Sequence, residues 1–290
     1  MTAAVTAAVI TLAGCGSDDD KTLPKIDGYN NSDEVASANL VAHWSFDADN
    51  KEVKSGTAPS NTYGTVGSTT GQIGNALKLT QGVLVYPPIA AINTADALNN
   101  FTLSMWINDA GNKGVTNKFS VYFGIYPTAV DDVCPNVGMM AETSRHLPSS
   151  DTMEWKTYFN TTTETGQNGQ DNVIQVNGDG VGKWSLGAKK WTHVVSRWNG
   201  TTHQFDFFAN AVNSGAYTDR GTAPKLVMRV PAQVVFGSFA NQGIGFASAP
   251  AALPDWSGLT NASIDDVRIY NSLLSDVEIS ALFNLGSAGR

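Results

Sequence analysis

A two-residue alternation of apolar and polar side chains recurs in short segments from Leu40 to Ile269, and it leaves few folds open to this chain. Because successive side chains of an extended strand point to opposite faces, each segment predicts a β-strand with one buried face. The inward-facing residues that three segments predict are Leu40, Ala42, Trp44 and Phe46; Phe101, Leu103, Met105 and Ile107; and Phe119, Val121, Phe123 and Ile125. Many short strands with Gly- and Asn-rich turns predict an all-β fold, a two-sheet antiparallel β-sandwich of the jelly-roll type.

Two local signals add detail to this fold. The segment WTHVVSRWNGTTHQFDFFA predicts a hairpin, because Asn199-Gly200 tolerates the positive φ angles of a tight turn. The segment SDVEISALFNLG predicts one short C-terminal helix, since Ser275 and Glu278 have the spacing of a capping box. We expect Gly286 to end this helix. Its predicted apolar stripe consists of Val277, Ile279, Leu282 and Phe283.

The alternation fails between Pro127 and about Pro148 and returns in MEWKTYFN and NVIQV. We therefore predict one domain over residues 39–290, with an irregular insertion around residues 127–187. A chain of this size with a β-rich pattern commonly forms a single sandwich domain.

The start of the chain predicts where the protein works. LAGC, ending at Cys15, resembles the lipobox of bacterial lipoproteins, which makes residues 1–14 a signal peptide and Cys15 an acylated N-terminus. The following GSDDD resembles the surface-export signal of Bacteroidetes lipoproteins, and residues 15–38 are predicted to be a flexible acidic tether. The predicted location is the outer membrane, with a lipid anchor and the domain facing the cell exterior. The alternatives are a hydrophobic tail that happens to contain a cysteine and a linker without export function.

Net charge and cysteine content limit the possible binding partners and disulfide bonds. The formal net charge of -8 argues against nucleic acid, whose phosphates require clustered Lys and Arg. If Cys15 carries lipid, Cys134 has no intrachain cysteine to pair with, and we predict that it is buried and inert.

Four ordered stretches resemble the laminin G-like, concanavalin A-like jelly-roll family. They are LVAHWSFD, GQIGNALKL, FTLSMWI, and KKWTHVV leading to ASIDDVRIYNSLLSDVEISALF, and together they cover about residues 39–285. The resemblance implies two face-to-face sheets that recognise carbohydrate or protein, often with a bound calcium ion. It does not identify the ligand, because one fold serves many functions.

Asp47 and Asp265 are the candidate calcium ligands. The strand pattern places Asp265 on the face of Val267 and Ile269, where a buried carboxylate needs a partner. A Ca²⁺ ion is one such partner, and the resemblance implies this role for Asp265 and for Asp47 at the end of the first strand. The alternative is that Asp265 accepts hydrogen bonds from backbone amides or pairs with an arginine.

Aromatic residues in the insertion and the loops are the candidate sugar contacts: Trp155, Tyr158, Trp184 and Trp256. Tyr158 shares its strand parity with the polar residues Glu154 and Lys156, whereas Trp155 shares the face of Met153, which favours a core position for it. Thr152, in a DTM motif, is a candidate site of O-glycosylation.

The sequence does not favour catalysis. Asp265 and Asp266 point to opposite faces of one strand, whereas glycosidases need two carboxylates facing one bond. Glu154 is the one acid in its strand, and a pairing of His193 with Asp206 across the hairpin would have a structural role. We therefore predict a surface lipoprotein that binds a glycan or a glycosylated or peptide nutrient without changing it. Its expected partners are a TonB-dependent transporter and the lid lipoprotein of that transporter. The alternatives are a structural subunit of such a transporter complex that binds protein and a divergent glycoside hydrolase.

Overall fold

The computed structural model of this chain describes residues 23–109, 119–130, 132–143, 149, 152–163, 166–172, 185–186, 189–217 and 228–290. Within these ranges lie fifteen β-strands and one α-helix, α1 (Asp276–Ser287). The strands are β1 (Leu40–Trp44), β2 (Asn61–Thr70), β3 (Asn75–Tyr86), β4 (Asn100–Asp109), β5 (Phe119–Tyr126), β6 (Val137–Glu142), β7 (Thr152–Met153), β8 (Trp155–Thr163), β9 (Gly166–Asn172), β10 (Ser185–Leu186), β11 (Thr192–Asn199), β12 (Gln204–Ala209), β13 (Val212–Tyr217), β14 (Gln233–Phe236) and β15 (Asn261–Tyr270). The helices in these ranges include none with the length and hydrophobicity needed to cross a lipid bilayer.

Thirteen of these strands form one sheet. Its order is β13-β12-β11-β4-β15-β3-β14-β5-β6-β8-β9, with β1 paired to β15 and β2 paired to β3. The other two strands, β7 and β10, pair with each other. The middle of the sheet alternates between early and late strands of the chain, which is typical of Greek-key and jelly-roll connections.

The sheet curls so that its two halves face each other as two layers. Strand β8 stands seven places from β11 in the sheet order, which in a flat sheet would separate them by roughly 34 Å. The structure instead brings the ring of Phe159 in β8 to 4.4 Å from that of Trp198 in β11. The hydroxyl oxygens of Thr157 and Ser196, on the same two strands, are 2.8 Å apart. The predicted all-β sandwich with one short C-terminal helix is confirmed.

Aromatic side chains fill the space between the layers. Phe236 of β14 has edge-to-face ring contacts with Trp44 at 5.6 Å, Tyr86 at 5.8 Å and Phe123 at 5.2 Å. The predicted inward-facing residues of β4 and most of those of the first segment belong to this main core: Ala42, Trp44, Phe46, Phe101, Leu103, Met105 and Ile107. Leu40 is also buried, but it lies in the cluster beneath α1, because the register of β1 shifts after it.

Helix α1 begins where the capping-box spacing predicts. The Ser275 hydroxyl accepts from the Glu278 N–H, and the Glu278 carboxylate accepts from the Ser275 N–H at 2.7 Å. Two details of the prediction are wrong, because the helix continues through Gly286 and Val277 is 70% exposed. A glycine is needed inside the helix because a Cβ at position 286 would lie 2.6 Å from the indole nitrogen of Trp106.

Regular structure also occurs inside the predicted irregular insertion. Strand β6 lies between β5 and β8 in the sheet, within the stretch from Pro127 to Pro148 where we expected no strand. Nearly all of its side chains are buried. A strand covered on both faces does not need polar residues at alternate positions, so the period-two signal is missing from it.

The predicted hairpin is formed by β11 and β12, but its loop spans residues 200–203. The Asn199 side chain accepts hydrogen bonds from two backbone N–H groups of this loop, and the positive φ angle falls at His203. The longer loop places Arg197 opposite Asp206, so the expected facing of His193 and Asp206 is wrong.

The described part of the predicted tether, residues 23–38, folds against the domain. The Arg268 guanidinium donates to the carbonyl and hydroxyl oxygens of Ser32 at 3.2 and 2.9 Å. Near the other end of the segment, Arg290 donates to the carbonyl oxygen of Pro24 at 2.9 Å. These residues are therefore part of the folded domain.

Candidate functional site

The four aromatic residues that we predicted to contact a ligand have different surroundings. Trp155 is fully buried in the main core, with its ring 5.7 Å from that of Tyr122, and this placement argues against a ligand role. Trp184 lies outside the described residues. Tyr158 and Trp256 line one and the same pocket, although Tyr158 is buried and Trp256 is 41% exposed.

This pocket, the Trp256 pocket, has a volume of about 220 Å³. Its lining side chains are Phe119, Cys134, Met140, Tyr158, Phe239 and Trp256. The floor is the outer face of β5, β6 and β8, and the segment that follows β14 supplies the opposite wall. Cys134, predicted to be buried, is half-buried here. These six lining side chains include no Lys, Arg, His, Asp or Glu.

A β-bulge in β5 creates this floor. The pairing of β5 with β6 shifts between Val121 and Phe123, and the extra residue reverses the face to which later side chains point. Phe123 and Ile125 therefore lie in the main core, as predicted. Phe119 and Val121 lie in a small cluster on the outer face together with Tyr158, so the prediction that all four share one face is wrong.

Trp256 is held in a fixed position above the floor. Its carbonyl oxygen accepts a hydrogen bond from the Phe119 N–H at 2.8 Å. Its ring meets those of Phe119 and Phe239 edge to face, with centroid distances of 5.6 and 5.2 Å. An exposed indole that already packs against two rings loses less side-chain entropy when a ligand stacks on it than a free one would.

An ion pair lies at one edge of the pocket. Lys156 Nζ is 3.0 Å from Glu142 Oε2 and 4.9 Å from the centre of the Phe119 ring. Both charged side chains are mostly buried, and Lys156 shares its face of β8 with Tyr158, two residues further along. The Glu142 carboxylate thus neutralises the charge of Lys156, and the Lys156 ammonium group lies over the ring of the lining residue Phe119.

The sequence did not single out Phe119, Phe239 or the Glu142–Lys156 pair as parts of a site. Phe119 was assigned to the core by the alternation of β5. Phe239 ends AQVVFGSF, a stretch that predicts a further strand and of which Gln233–Phe236 form β14. A signal for the pocket was present only as the parity of Tyr158 and the position of Trp256 in a loop-rich segment.

The two candidate calcium ligands bind a single turn. Asp265 Oδ2 accepts from the N–H groups of Gln72 and Ile73 at 2.8 and 2.9 Å, and Asp47 Oδ1 accepts from that of Asn75 at 2.9 Å. A Ca²⁺ ion takes ~6–8 oxygen ligands. The described part of the chain contains no group of three or more His, Cys, Asp or Glu residues that could hold a metal ion. Asp265 Oδ2 and Asp47 Oδ1 therefore accept from backbone amides, as in the alternative interpretation of Asp265, while Asp265 Oδ1 is buried without a hydrogen-bond partner. The calcium site stays a prediction.

Asp265 leaves the core face because of a second bulge. The register between β15 and β4 shifts between Asp265 and Arg268, with Asp266 at a φ of 46°. Ile264 and Val267 both lie in the main core, so Asp265 does not share the face of Val267 as predicted. Asp265 is nevertheless buried, and this burial raises the pKa of its carboxyl to about 7.

Asp266 belongs to a buried charge network. It accepts from Arg268 Nε at 2.9 Å and lies 2.8 Å from His43 Nε2. Although burial opposes ionisation, the guanidinium and the imidazole hold the pKa of Asp266 well below its usual range. Arg268 also contacts the Asp33 carboxylate at 2.8 Å, so the network ties the N-terminal segment to β15.

Ser104 and His193, a hydroxyl and an imidazole side by side, are not accessible to a substrate. Ser104 Oγ lies 2.8 Å from His193 Nε2, but both residues are buried, and the His193 ring stacks 6.3 Å from Phe283 of α1. Burial lowers the pKa of His193 to about 4, so this imidazole is neutral near pH 7. Glu154, the acidic residue immediately before β8, is fully buried.

These features define a two-layer β-sandwich domain with an aromatic pocket on its outer face. No protein-family model matches the sequence, and no curated protein matches it. Solved structures of similar fold include the binding domain of Paraclostridial Mosquitocidal Protein 1, with a TM-score of 0.54 and 14% identity over 85% of this chain and 52% of that chain. Domain 4 of AbnA, a GH43 extracellular arabinanase from Geobacillus stearothermophilus, was solved with arabinotriose and has a TM-score of 0.51 and 18% identity over 84% of this chain and 98% of that chain.

A third similar structure is the binding domain of Botulinum neurotoxin DC in complex with rat synaptotagmin II. Its TM-score is 0.54 with 13% identity, over 85% of this chain and 51% of that chain. This chain therefore spans about half of the toxin binding domains and nearly all of the arabinanase domain. At these identities the likeness shows a shared fold.

Proposed function

We propose that this protein is a non-catalytic binding module that holds a saccharide in the Trp256 pocket. The observation that carries the proposal is the position of Trp256, 41% exposed and fixed between Phe119 and Phe239 at the mouth of a pocket of about 220 Å³. The polarised C–H groups on one face of a sugar ring fit the negative face of an aromatic ring. Small-ligand sites are concave and lined mainly by apolar and aromatic side chains, as this pocket is.

The comparisons support a binding role without assigning the ligand. The arabinanase domain was solved with arabinotriose, and the toxin domain was solved with a protein partner. Because one fold can serve many functions, the weight of the proposal rests on the pocket of this chain.

The contacts of three acidic residues favour a binding role over hydrolysis. A glycosidase needs two carboxylates that both reach the scissile bond. Asp265 and Asp266 are occupied by backbone amides and by Arg268 with His43, and Glu154 is buried in the sheet.

Affinity electrophoresis against a panel of polysaccharides tests the binding role. We expect Trp256→Ala to weaken the binding of the retained polysaccharide at least tenfold, about 1.4 kcal/mol, because the stacking surface is lost. Leu273→Ala is the matched control, since Leu273 is 38% exposed and lines a different cleft beside α1. Retention that is unchanged in Trp256→Ala, or no retention of the unmodified protein by any polysaccharide, would contradict the proposal.

We further propose that acylated Cys15 anchors this module to the outer membrane and that the module faces the cell exterior beside a nutrient transporter of the TonB-dependent type. The support is the LAGC and GSDDD sequence. Each buried CH₂ of an acyl chain contributes about 0.8 kcal/mol of membrane affinity. Incorporation of an alkyne-labelled fatty acid that Cys15→Ser abolishes, together with protease access on intact cells, tests the anchor and its orientation.

A protein ligand is the second candidate, favoured by the synaptotagmin II complex of a domain with the same fold. Co-purification with an outer-membrane barrel that survives Trp256→Ala would support this candidate, a structural subunit of a transporter complex. Release of reducing sugar that Glu154→Gln abolishes would support a glycoside hydrolase instead.

A further inference from the structure

We infer that the Glu142–Lys156 ion pair makes the Trp256 pocket select neutral saccharides over anionic ones, an inference that rests on the proposed function of this pocket. The pair lies beside the pocket, with Lys156 Nζ 4.9 Å from the centre of the Phe119 ring. Phe119 is itself a lining residue, so a sugar bound on Trp256 would approach this edge.

The position of the pair follows from the register of the sheet. Glu142 stands opposite Phe119 between β5 and β6, and Lys156 stands opposite Met140 between β6 and β8. The ion pair therefore bridges β6 and β8 on the same outer face that forms the pocket floor. Its N–O distance is 3.0 Å, and both side chains are mostly buried.

An anionic sugar meets two costs at this site. Its carboxylate would lie against uncharged side chains, and burying an unpaired carboxylate is very unfavourable. Lys156 is placed to compensate that charge, but Glu142 already neutralises it and would repel the ligand carboxylate. The formal net charge of -8 adds repulsion at longer range. A neutral sugar meets neither cost.

Glu142→Gln is the decisive change, because it removes the negative charge and keeps an oxygen that accepts a hydrogen bond from Lys156. The measurement is affinity electrophoresis of the full chain in arabinan, a neutral polysaccharide, and in polygalacturonate, an anionic one, at low and high salt. We expect the unmodified protein to prefer the neutral polysaccharide at least tenfold. In Glu142→Gln we expect the affinity for polygalacturonate to rise about tenfold, and to fall again at high salt, while the affinity for arabinan stays within about twofold.

Two further variants separate this effect from a general change of charge. Asp49→Asn makes the same change in the exposed Asp49–Lys51 pair, whose atoms are 3.2 Å apart, and should gain no affinity for polygalacturonate. In the double variant Glu142→Gln/Lys156→Gln the gain should disappear, because the cation is absent. Thermal melting shows whether each variant is folded.

The outcomes distinguish this inference from the proposed function. If the unmodified protein binds polygalacturonate as tightly as arabinan through Trp256, or if folded Glu142→Gln gains nothing, the selection inference is wrong while the pocket keeps its role. If Glu142→Gln does not fold, the preference of the unmodified protein decides the question. If no saccharide binding depends on Trp256, the proposed function itself fails.

Discussion

Two outer faces of the curled sheet are covered in different ways. Helix α1 covers the face that carries Trp106 and His193, and both residues are buried, with the Trp106 ring stacked 5.8 Å from Phe283. The segment after β14 covers the outer face of β5, β6 and β8 and leaves the Trp256 pocket open. A helix presents a continuous apolar stripe that can cover a sheet face, whereas an irregular segment contributes separate side chains with space between them.

The charged groups on the two faces differ accordingly. Asp266, Arg268 and His43, on the sheet face next to Trp106, are buried and satisfy one another, and the N-terminal segment contacts Arg268 through Ser32 and Asp33. At the pocket, Glu142 and Lys156 lie at an edge where a ligand can approach. The charges on the helix-covered face thus pair with one another inside the fold, whereas the ion pair on the other face borders an open pocket.

The largest expected effect is on the helix-covered face. Arg268→Met leaves Asp266 buried without its main counter-charge, and removing one partner of a buried ion pair costs about 3–5 kcal/mol. Urea unfolding followed by tryptophan fluorescence measures this loss. Glu142→Gln, which alters the ion pair on the pocket face, should cost much less, and equal losses would show that the two faces do not differ as described.

The next effect is a pH dependence at the turn of Gln72 and Ile73, where Gln72 Nε2 donates to the carbonyl oxygen of Gly286 near the end of α1. Burial raises the pKa of Asp265 to about 7, whereas an unfolded chain has an Asp pKa of about 4. The folded state therefore binds more protons between these values, and the free energy of unfolding falls as pH rises from about 4 to 7. Because one pKa unit corresponds to 1.36 kcal/mol, this contribution is at most ~4 kcal/mol.

Asp265→Asn should remove this pH dependence. Its side-chain oxygen can still accept from the Gln72 and Ile73 N–H groups, which Asp265 binds at 2.8 and 2.9 Å. The urea midpoint of unfolding is measured at pH 5 and pH 8, and its decrease between these pH values should be smaller in the variant than in the unmodified protein. Equal decreases in the two proteins would contradict the assignment of the pH dependence to Asp265.

A smaller effect tests how closely α1 contacts the sheet. In Gly286→Ala the new Cβ would lie 2.6 to 2.8 Å from three atoms of the Trp106 indole, and overpacking of this kind costs about 1–3 kcal/mol. Gly67→Ala is the control, because nothing lies within 4 Å of a Cβ at that position. A loss of stability in both variants alike would point to a general intolerance of alanine.

The smallest expected change of stability is at the pocket. Trp256→Ala removes two edge-to-face ring contacts of a half-exposed side chain, and we expect a loss of about 1–2 kcal/mol. The same protein should lose its saccharide binding, which makes recognition far more sensitive than stability at this face. A loss as large as that of Arg268→Met would show that Trp256 is mainly structural.

The accuracy of the sequence predictions varied with the regularity of each strand. The alternation identified β1 and β4, because the residues of one face lie in the main core. It failed in β5 and β15, where a bulge shifts the register and moves Phe119 outward and Asp265 off the core face. It also missed β6, since both faces of that strand are buried. The capping box located the start of α1. The need for glycine at position 286 could not be predicted, because it comes from the contact with Trp106 on a strand distant in sequence.

The sequence by itself determined the class of the fold and the place of the helix, because periodicity and capping are interactions between residues close along the chain. Only the tertiary structure decided the curl of the sheet, the partners of Asp47 and Asp265, and the pocket that joins Phe119, Tyr158 and Trp256. The physical reason is that each of these depends on register between strands far apart in sequence. A single inserted residue in one strand changes the face of every side chain that follows it.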